Sequence, residues 1–442
     1  MQLASLLGGV DVLERRGDLD VEVRAVTHDS RLVTPGALFC CLPGTTADGH
    51  DHAPAAVDAG AAALLCERFT AVEAAQVRVA STRRSMAHVA AAFHGHPSSA
   101  MRVAGVTGTN GKTTVTWFLR SIFEAHGWST GLIGTLSGTR TTPESTELQA
   151  RLAELRDAGT DAVAVEVSSH ALVQHRVDAT QFAVVGFTNL SQDHLDYHGD
   201  MAAYFAAKAS LFTPDFAAVG VANVDDPWGR RLPAAAGIDM RPFSRADVDD
   251  VKLRLGGAFN RENAACAAAM AAVLGIPRDV VVAGLEAVDA VPGRYERVDA
   301  GQPFAVVVDY AHTPDALAQV LAAAREEATG RVLLVFGCGG DRDRAKRPLM
   351  GRVASEGADV AVLTDDNPRS EDAAAIREAV LSGAPTLVVE PDRRAAIALA
   401  VREARPGDVV VIAGKGHETG QTYGATTLPF DDRVVAREVL EA

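Results

Sequence analysis

Short apolar runs, each closed by a glycine or proline turn, set the rhythm of the chain. Within residues 1–97, stretches 37–42 and 61–66 read as strands and 53–60 and 86–93 as helices, the last stopping at Gly95 and Pro97. A new apolar run at 103–106 leads through a glycine-rich turn into an amphipathic segment with Val115, Phe118, Leu119 and Ile122 at helical spacing, ended by Gly127. Thr142 and Pro143 predict the cap and first turn of a helix whose apolar line is Leu148, Leu152 and Leu155. Residues 161–167 and 182–187 read as buried strands, 204–212 as an amphipathic helix and 217–221 as a strand. The alanine-rich stretch opened by Phe259 and Asn260 reads as a long helix ending near Gly275.

After Pro292 and Gly293 the pattern restarts. Strands at 304–308, 332–336, 359–363, 386–389 and 409–412 alternate with helices near 316–326, 350–356, 373–380 and 394–403, which is the pattern of an open α/β sheet. The expected class is α/β throughout, in three domains. A small N-terminal α/β domain covers 1–97, a central phosphate-loop α/β domain 98–292 and a Rossmann-like α/β domain 293–442.

Composition narrows the function. The chain has 442 residues, 48% of them apolar, enough for several cores. A formal charge of -15 repels phosphate backbones and anionic lipid, so nucleic acid is not an expected partner. No signal peptide and no run of about 20 apolar residues is present, which predicts a soluble, cytoplasmic protein without membrane insertion. Cys40, Cys41, Cys66, Cys266 and Cys338 lack metal-knuckle spacing and read as reduced structural thiols.

Candidate chemistry gathers where strands end. Gly108-Thr109-Asn110-Gly111-Lys112-Thr113-Thr114 lies between a strand and a helix. Its glycines let backbone N–H groups converge, the helix start adds its dipole, Lys112 adds charge and Thr113 offers a hydroxyl to Mg2+. Glu166 sits in an apolar run, where a metal or substrate contact is favoured over a structural salt bridge. His170 and His198 read as ordinary hydrogen-bonding histidines, while His194 stays open between that and a ligand. Lys208 lies in an apolar helix, where a lysine ordinarily snorkels to solvent. Further polar groups follow later strands: Asp309-Tyr310-Ala311-His312, the basic run Arg342, Arg344, Lys346 and Arg347, Asp366-Asn367-Pro368-Arg369, and Gly414-Lys415-Gly416-His417-Glu418. The basic run, in a glycine-rich turn of an acidic protein, suggests an anion site.

In their order these motifs, together with Asp29-Ser30-Arg31, Thr141-Thr142-Pro143 and Pro292-Gly293-Arg294, resemble the Mur ligases of bacterial cell-wall synthesis over essentially the whole chain. The resemblance implies an ATP-dependent amide ligase that activates a D-glutamyl carboxylate as an acyl phosphate for attack by an amine. It assigns the uridine nucleotide to the first domain, ATP to the second and the amino acid to the third. Gly108 to Thr114, Asn263, Arg294, Asp309 and His312 would serve ATP. Thr113 and Glu166 would hold one Mg2+, and His194 a second with Lys208, which is carbamylated in relatives; Lys112, Glu166, His194 and Lys208 are the expected catalytic set. Ser30 would touch the uridine diphosphate, and Thr141, Thr142, Ser168, Gln174 and Arg176 the muramoyl dipeptide.

The same resemblance implies the substrates UDP-MurNAc-L-Ala-D-Glu and meso-diaminopimelate, and a monomer. Arg369 and Arg342 would pair with the far carboxylate of the amino acid and Glu418 with its ammonium, with Asp366, Asn367 and Gly414 beside them. Two departures stand out: a short connection from Thr135 to Thr141, and Thr45-Thr46 where relatives often carry His-Gln against the uracil. Alternatives are a related ligase using L-lysine or another carrier, and a non-catalytic nucleotide-binding protein.

Overall fold

The computed structural model describes residues 1–44, 47–138 and 140–442. Thr45-Thr46 therefore lies outside the described residues, as does Thr139 of the short connection. Three sheets follow one another along the chain. The first has five strands in the order Val12–Arg16, Ala75–Val79, Ala63–Cys66, Ala37–Cys40, Ala25–Thr27, parallel except for the first pair. Leu38, Cys40 and Leu65 pack on one of its faces and Phe39, Cys41 and Leu64 on the other. All five cysteines are buried and free, and burial pushes the Cys41 thiol up to about 12.

The central sheet is wholly parallel, in the order Asp239–Phe243, Val219–Asn223, Val184–Phe187, Arg102–Thr107, Ala162–Glu166, Thr130–Ile133. Its strands are near-continuous apolar runs because helices cover both faces. The helix Lys112–Ala125 buries Val115, Phe118, Leu119 and Ile122 against one face, with the alanine-rich helix Ala258–Val273 beside it. Truncating Phe118, which is fully buried, would cost about 3–5 kcal/mol. Strand Arg102–Thr107 lies between strands that come later in the chain, so the turn after it opens at a switch point of the sheet, where ligands bind in such folds.

The last sheet runs Glu296–Arg297, Ala305–Asp309, Val409–Ala413, Val332–Phe336, Val360–Leu363, Val388–Val389, parallel except for the first pair. A hairpin, Gly420–Tyr423 with Thr426–Pro429, stands beyond it. One helix is capped differently from the sequence expectation. The helix with Leu148 and Leu152 begins at Ser145 and is capped by Glu144, whose side chain forms a capping box with Glu147. Thr142 is drawn away instead, its hydroxyl donating to the Glu166 carbonyl at 2.8 Å. Among the described residues no helix is long and apolar enough to cross a membrane.

Polar contacts join the three parts. His28 Nδ1 meets Thr146 Oγ1 at 2.8 Å and Arg83 pairs with Glu144 at 3.2 Å, linking the first sheet's helices and turns to the second's. Asn110 donates to Asp315 Oδ2 at 3.1 Å and Arg294 to Thr113 Oγ1 at 3.1 Å, linking the second to the third.

Candidate active site

The carboxyl-end loops of the central and last sheets face each other across a cleft of about 360 Å³. On one wall stands the turn Thr109 to Thr114. Gly111 has φ +86, and a Cβ there would lie 2.1 Å from Asn263 Oδ1, so the turn closes onto the alanine-rich helix only with glycine at that position. Lys112 Nζ donates to the Gly108 and Thr109 carbonyls, both at 2.8 Å. Burial lowers its pKa from the ordinary lysine value.

Glu166, 2% exposed at the end of its strand, accepts from Thr113 Oγ1 at 3.0 Å, Thr135 N at 2.9 Å and Thr135 Oγ1 at 3.0 Å. Three donors make a buried carboxylate tolerable. A hydroxyl and a carboxylate beside a phosphate loop are hard oxygen donors that suit Mg2+, which keeps its remaining positions for phosphate and water. Among the described residues no group of three His, Cys, Asp or Glu side chains is disposed to hold a metal, so any cation here would depend on the nucleotide for further ligands.

Beside this lies His194, in the left-handed region at φ 55, with its Nε2 3.3 Å from Asp193 Oδ2. Asp193 also faces two groups from the last sheet's loops, His312 Nε2 and Lys346 Nζ, each at 3.8 Å. Burial opposes its charge, but His194, His312 and Lys346 together hold its pKa below the usual carboxylate range. Desolvation, then the nearby Lys346 charge, pushes the half-buried His312 down to about 4.

Lys208 is 1% exposed rather than snorkelling; its Nζ donates to the Gly108 carbonyl at 2.7 Å and lies 4.7 Å from the Tyr204 ring centroid. Burial, then the neighbouring Lys112 charge, lowers its pKa well below the ordinary lysine value.

The opposite wall carries Arg342, Lys346, Asp366, Asn367, Arg369 and Glu418. Arg369 adopts φ 53 and donates from Nη1 to the Gly340 carbonyl at 2.6 Å. The basic run is split by its turn. Arg342 and Lys346 enter the cleft, while Arg344 and Arg347 pair with Glu371 at 3.1 and 2.8 Å. Cations and carboxylates thus alternate on one wall opposite a phosphate loop on the other, an arrangement able to bring an amine to a phosphorylated carboxylate.

Residues 22–97 match the Mur ligase catalytic domain, 106–241 the Mur ligase middle domain and 293–416 the Mur ligase glutamate ligase domain. Over 95% of its length the chain is 45% identical to a UDP-N-acetylmuramoyl-L-alanyl-D-glutamate--2,6-diaminopimelate ligase of Solibacter usitatus, of which it covers 94%. The chain belongs to the Mur ligase family. A ligase of the same name from Streptomyces avermitilis is 43% identical over 96% of this chain and 93% of its own. A solved structure of such a ligase is 30% identical, with a TM-score of 0.68 over 100% of this chain and 99% of that one.

Within this Mur ligase, most residues named from the sequence converge on the cleft: Thr109 to Thr114, Thr141, Glu166, Ser168, His194, Asn263, Arg294, Asp309, His312, Arg342, Asp366, Asn367, Arg369, Gly414 and Glu418. Gly108, Thr142 and Lys208 sit just behind its wall, joined to it by the bonds already given. Gln174 and Arg176 lie further along, Arg176 donating to the Thr142 carbonyl at 3.0 Å and pairing with Glu144 at 3.0 Å. Ser30 lies apart, in the short turn of helix Ser30–Leu32 of the first domain. Asp309 spends its carboxylate on the backbone N–H groups of Tyr295 and Ala311, at 2.6 and 2.7 Å, and burial raises its pKa.

The sequence names Tyr310 and Lys346 only within their motifs; Thr135 as a donor to Glu166 and the pairing of Asp193 with Lys346 emerge only in the fold. Tyr310 carries the Arg294 guanidinium 4.4 Å from its ring centroid. Their signal was present, since each adjoins a residue already singled out at a strand end. Nothing local distinguishes them from turn residues.

Proposed function

We propose that this chain is the Mur ligase that joins meso-2,6-diaminopimelate to the D-glutamyl carboxylate of UDP-MurNAc-L-Ala-D-Glu in peptidoglycan synthesis, driven by ATP. The observation that carries this reading is the cleft wall on which Arg342 and Arg369 stand beside Asp366 and Glu418. Two arginines suit the far carboxylate of the incoming amino acid and the two acids its far ammonium. Lysine has the ammonium alone and would leave the arginines without a partner.

In this reading the turn Gly108 to Thr114 cradles the ATP phosphates through its N–H groups, and Lys112 turns from the loop carbonyls to the phosphate oxygens. Thr113 and Glu166 would hold Mg2+, which supplies charge neutralisation when bound. Arg294, placed between Thr113 and Tyr310, faces the phosphates from the third domain. The D-glutamyl carboxylate attacks the γ-phosphorus, ADP leaves, and the resulting acyl phosphate is attacked by the neutral amine. The tetrahedral adduct then expels phosphate and loses a proton to give the amide. Arg342, Arg369 and Glu418 set the amine's approach, which converts a collision into an intramolecular step.

We assign the uridine nucleotide to residues 1–97 with Ser30 as a contact, the muramoyl dipeptide to Thr141, Thr142, Ser168, Gln174 and Arg176, ATP to 98–292 and the amino acid to 293–442. Carbamylated Lys208 would complete a second Mg2+ position with His194, because a carbamate is an oxygen ligand and an ammonium is not. Both walls of the cleft come from one chain, which suits a monomer, and both nucleotide substrates suit a cytoplasmic enzyme.

The test is phosphate release with ATP, Mg2+ and UDP-MurNAc-L-Ala-D-Glu in the presence of meso-diaminopimelate, L-lysine or no amine, with the product weighed by mass spectrometry. Turnover with meso-diaminopimelate alone supports the reading. Turnover with lysine alone overturns the amine assignment, and silence with every amine overturns the carrier.

A further inference from the structure

Gly414-Lys415-Gly416-His417-Glu418 contains one charge that the reaction just described does not use. Gly414 (φ +116) and Gly416 (φ +55) both take left-handed backbone, which lets the chain fold back at the end of strand Val409–Ala413 and send the intervening side chain inward. Lys415 is 0% exposed, beneath the cleft wall. A buried ammonium needs its three protons satisfied. Lys415 Nζ has three acceptors: the Gly420 carbonyl at 2.5 Å, Glu418 Oε2 at 3.2 Å and Asn367 Oδ1 at 3.3 Å.

The carboxylate it touches is held from two sides. Asn367 Nδ2 also donates to Glu418 Oε2, at 2.7 Å, and Asn367 is itself fixed by Thr422 N, which donates to its Oδ1 at 2.9 Å. Among the described residues, both side-chain hydrogen bonds to Glu418 land on Oε2. Oε1 receives neither, and Glu418 is 30% exposed on the cleft wall. Arg342 and Arg369 line the same cleft, so a Glu418 released from these bonds has opposite charges on its own wall.

We propose that Lys415 is a positioning and specificity-determining residue: it clamps Glu418 by Oε2, so that Oε1 is presented to the far ammonium of the amino-acid substrate and the arginines stay free for its carboxylate. This rests on the proposed use of a diamino dicarboxylate. Lys415 touches no substrate itself. It acts through Glu418, and the pair keeps the two halves of a zwitterion site from neutralising each other.

The experiment compares kcat/KM for meso-diaminopimelate and for 2-aminopimelate, which lacks the far ammonium, in wild type, Lys415→Met, Lys415→Gln, Glu418→Gln and the Lys415→Met/Glu418→Gln double variant. Losing an oriented charge-assisted contact should raise the KM for meso-diaminopimelate about 10- to 100-fold in each Lys415 variant, while the KM for ATP stays within about twofold. The preference for meso-diaminopimelate over 2-aminopimelate should collapse by a similar factor. Because both residues act as one unit, the double variant should be no worse than Glu418→Gln alone, within about twofold. Multiplied effects in the double variant, equal losses for both amines, or an unchanged KM would overturn the inference. So would the absence of a thermal unfolding transition in both Lys415 variants, which would make the residue a stability element. Wild type inert toward meso-diaminopimelate would fell the proposed function as well, which separates that failure from this one.

Discussion

Lys112 and Lys208 donate to the same acceptor, the carbonyl of Gly108, at 2.8 and 2.7 Å. Burial lowers the pKa of both, and at Lys208 the neighbouring Lys112 charge lowers it further. A neutral lysine amine can add CO2, because the free pair on nitrogen is the nucleophile and protonation removes it. Carbamate formation would exchange one of the two positive charges for a negative one. Lys208→Ala is therefore expected to lower kcat about 10²- to 10³-fold. Depleting bicarbonate from wild type should lower activity, more so as pH falls and protonates the amine. A carbamate carbon signal after labelling with ¹³C-bicarbonate, absent in Lys208→Ala, is the check. Full activity in that variant would remove the carbamate.

Glu166→Gln keeps the shape of the site and removes its charge. Thr113 and Thr135 still find one oxygen acceptor, so the fold should persist. The Mg2+ concentration for half-maximal phosphate release is expected to rise about 10- to 100-fold. A titration of activity against Mg2+ at saturating ATP decides it; an unmoved midpoint would take Glu166 out of the metal's environment.

Arg369 is held in a left-handed turn with one guanidinium nitrogen on the Gly340 carbonyl, leaving the rest of its fork for a ligand. Arg369→Ala should raise the KM for meso-diaminopimelate about 10- to 100-fold with little change for ATP. Steady-state kinetics against each substrate in turn would show the asymmetry. Equal rises for both would indicate a general distortion of the cleft.

Far from the cleft, Asp408 is 3% exposed and accepts from Arg331 N at 2.7 Å, Arg331 Nη2 at 2.8 Å and Arg405 N at 2.9 Å. Burial would raise its pKa, but these donors win and hold it below the ordinary value. A depressed carboxylate stabilises the folded state above its unfolded pKa and ceases to do so as pH falls through the folded one. Asp408→Asn should thus cost about 1–3 kcal/mol at pH 7 and progressively less below about pH 4. Thermal melts of both proteins across that range would test it, and a deficit independent of pH would be contrary to the sign.

Much of this architecture could be read before any coordinates. Strand Val332–Phe336 was expected with the bounds it has, since five apolar residues buried on both faces leave little freedom of placement. The phosphate loop was legible because its glycines, lysine and threonines answer one local demand. Thr142 was misjudged as a cap because a tertiary partner, the Glu166 carbonyl, outbid the helix start that its sequence neighbours suggested. Lys208 was ambiguous because an isolated lysine on an apolar helix snorkels unless something walls it in; that wall is Tyr204, one turn back on the same helix, together with the Gly108 carbonyl, which is distant in sequence. Asp193 and Lys346 could not be paired at all, since their meeting depends on how two separate sheets dock.

The split of the cleft between two sheets has a consequence for inheritance. Every side chain proposed to recognise the amine, Arg342, Asp366, Asn367, Arg369 and Glu418, hangs from loops of the last sheet, and the phosphate turn from the central one. A lineage can therefore rewrite which building block enters its wall by drift in one set of loops while the machinery of activation is copied unchanged. The clamp of Lys415 on Glu418 sits wholly on the side free to vary.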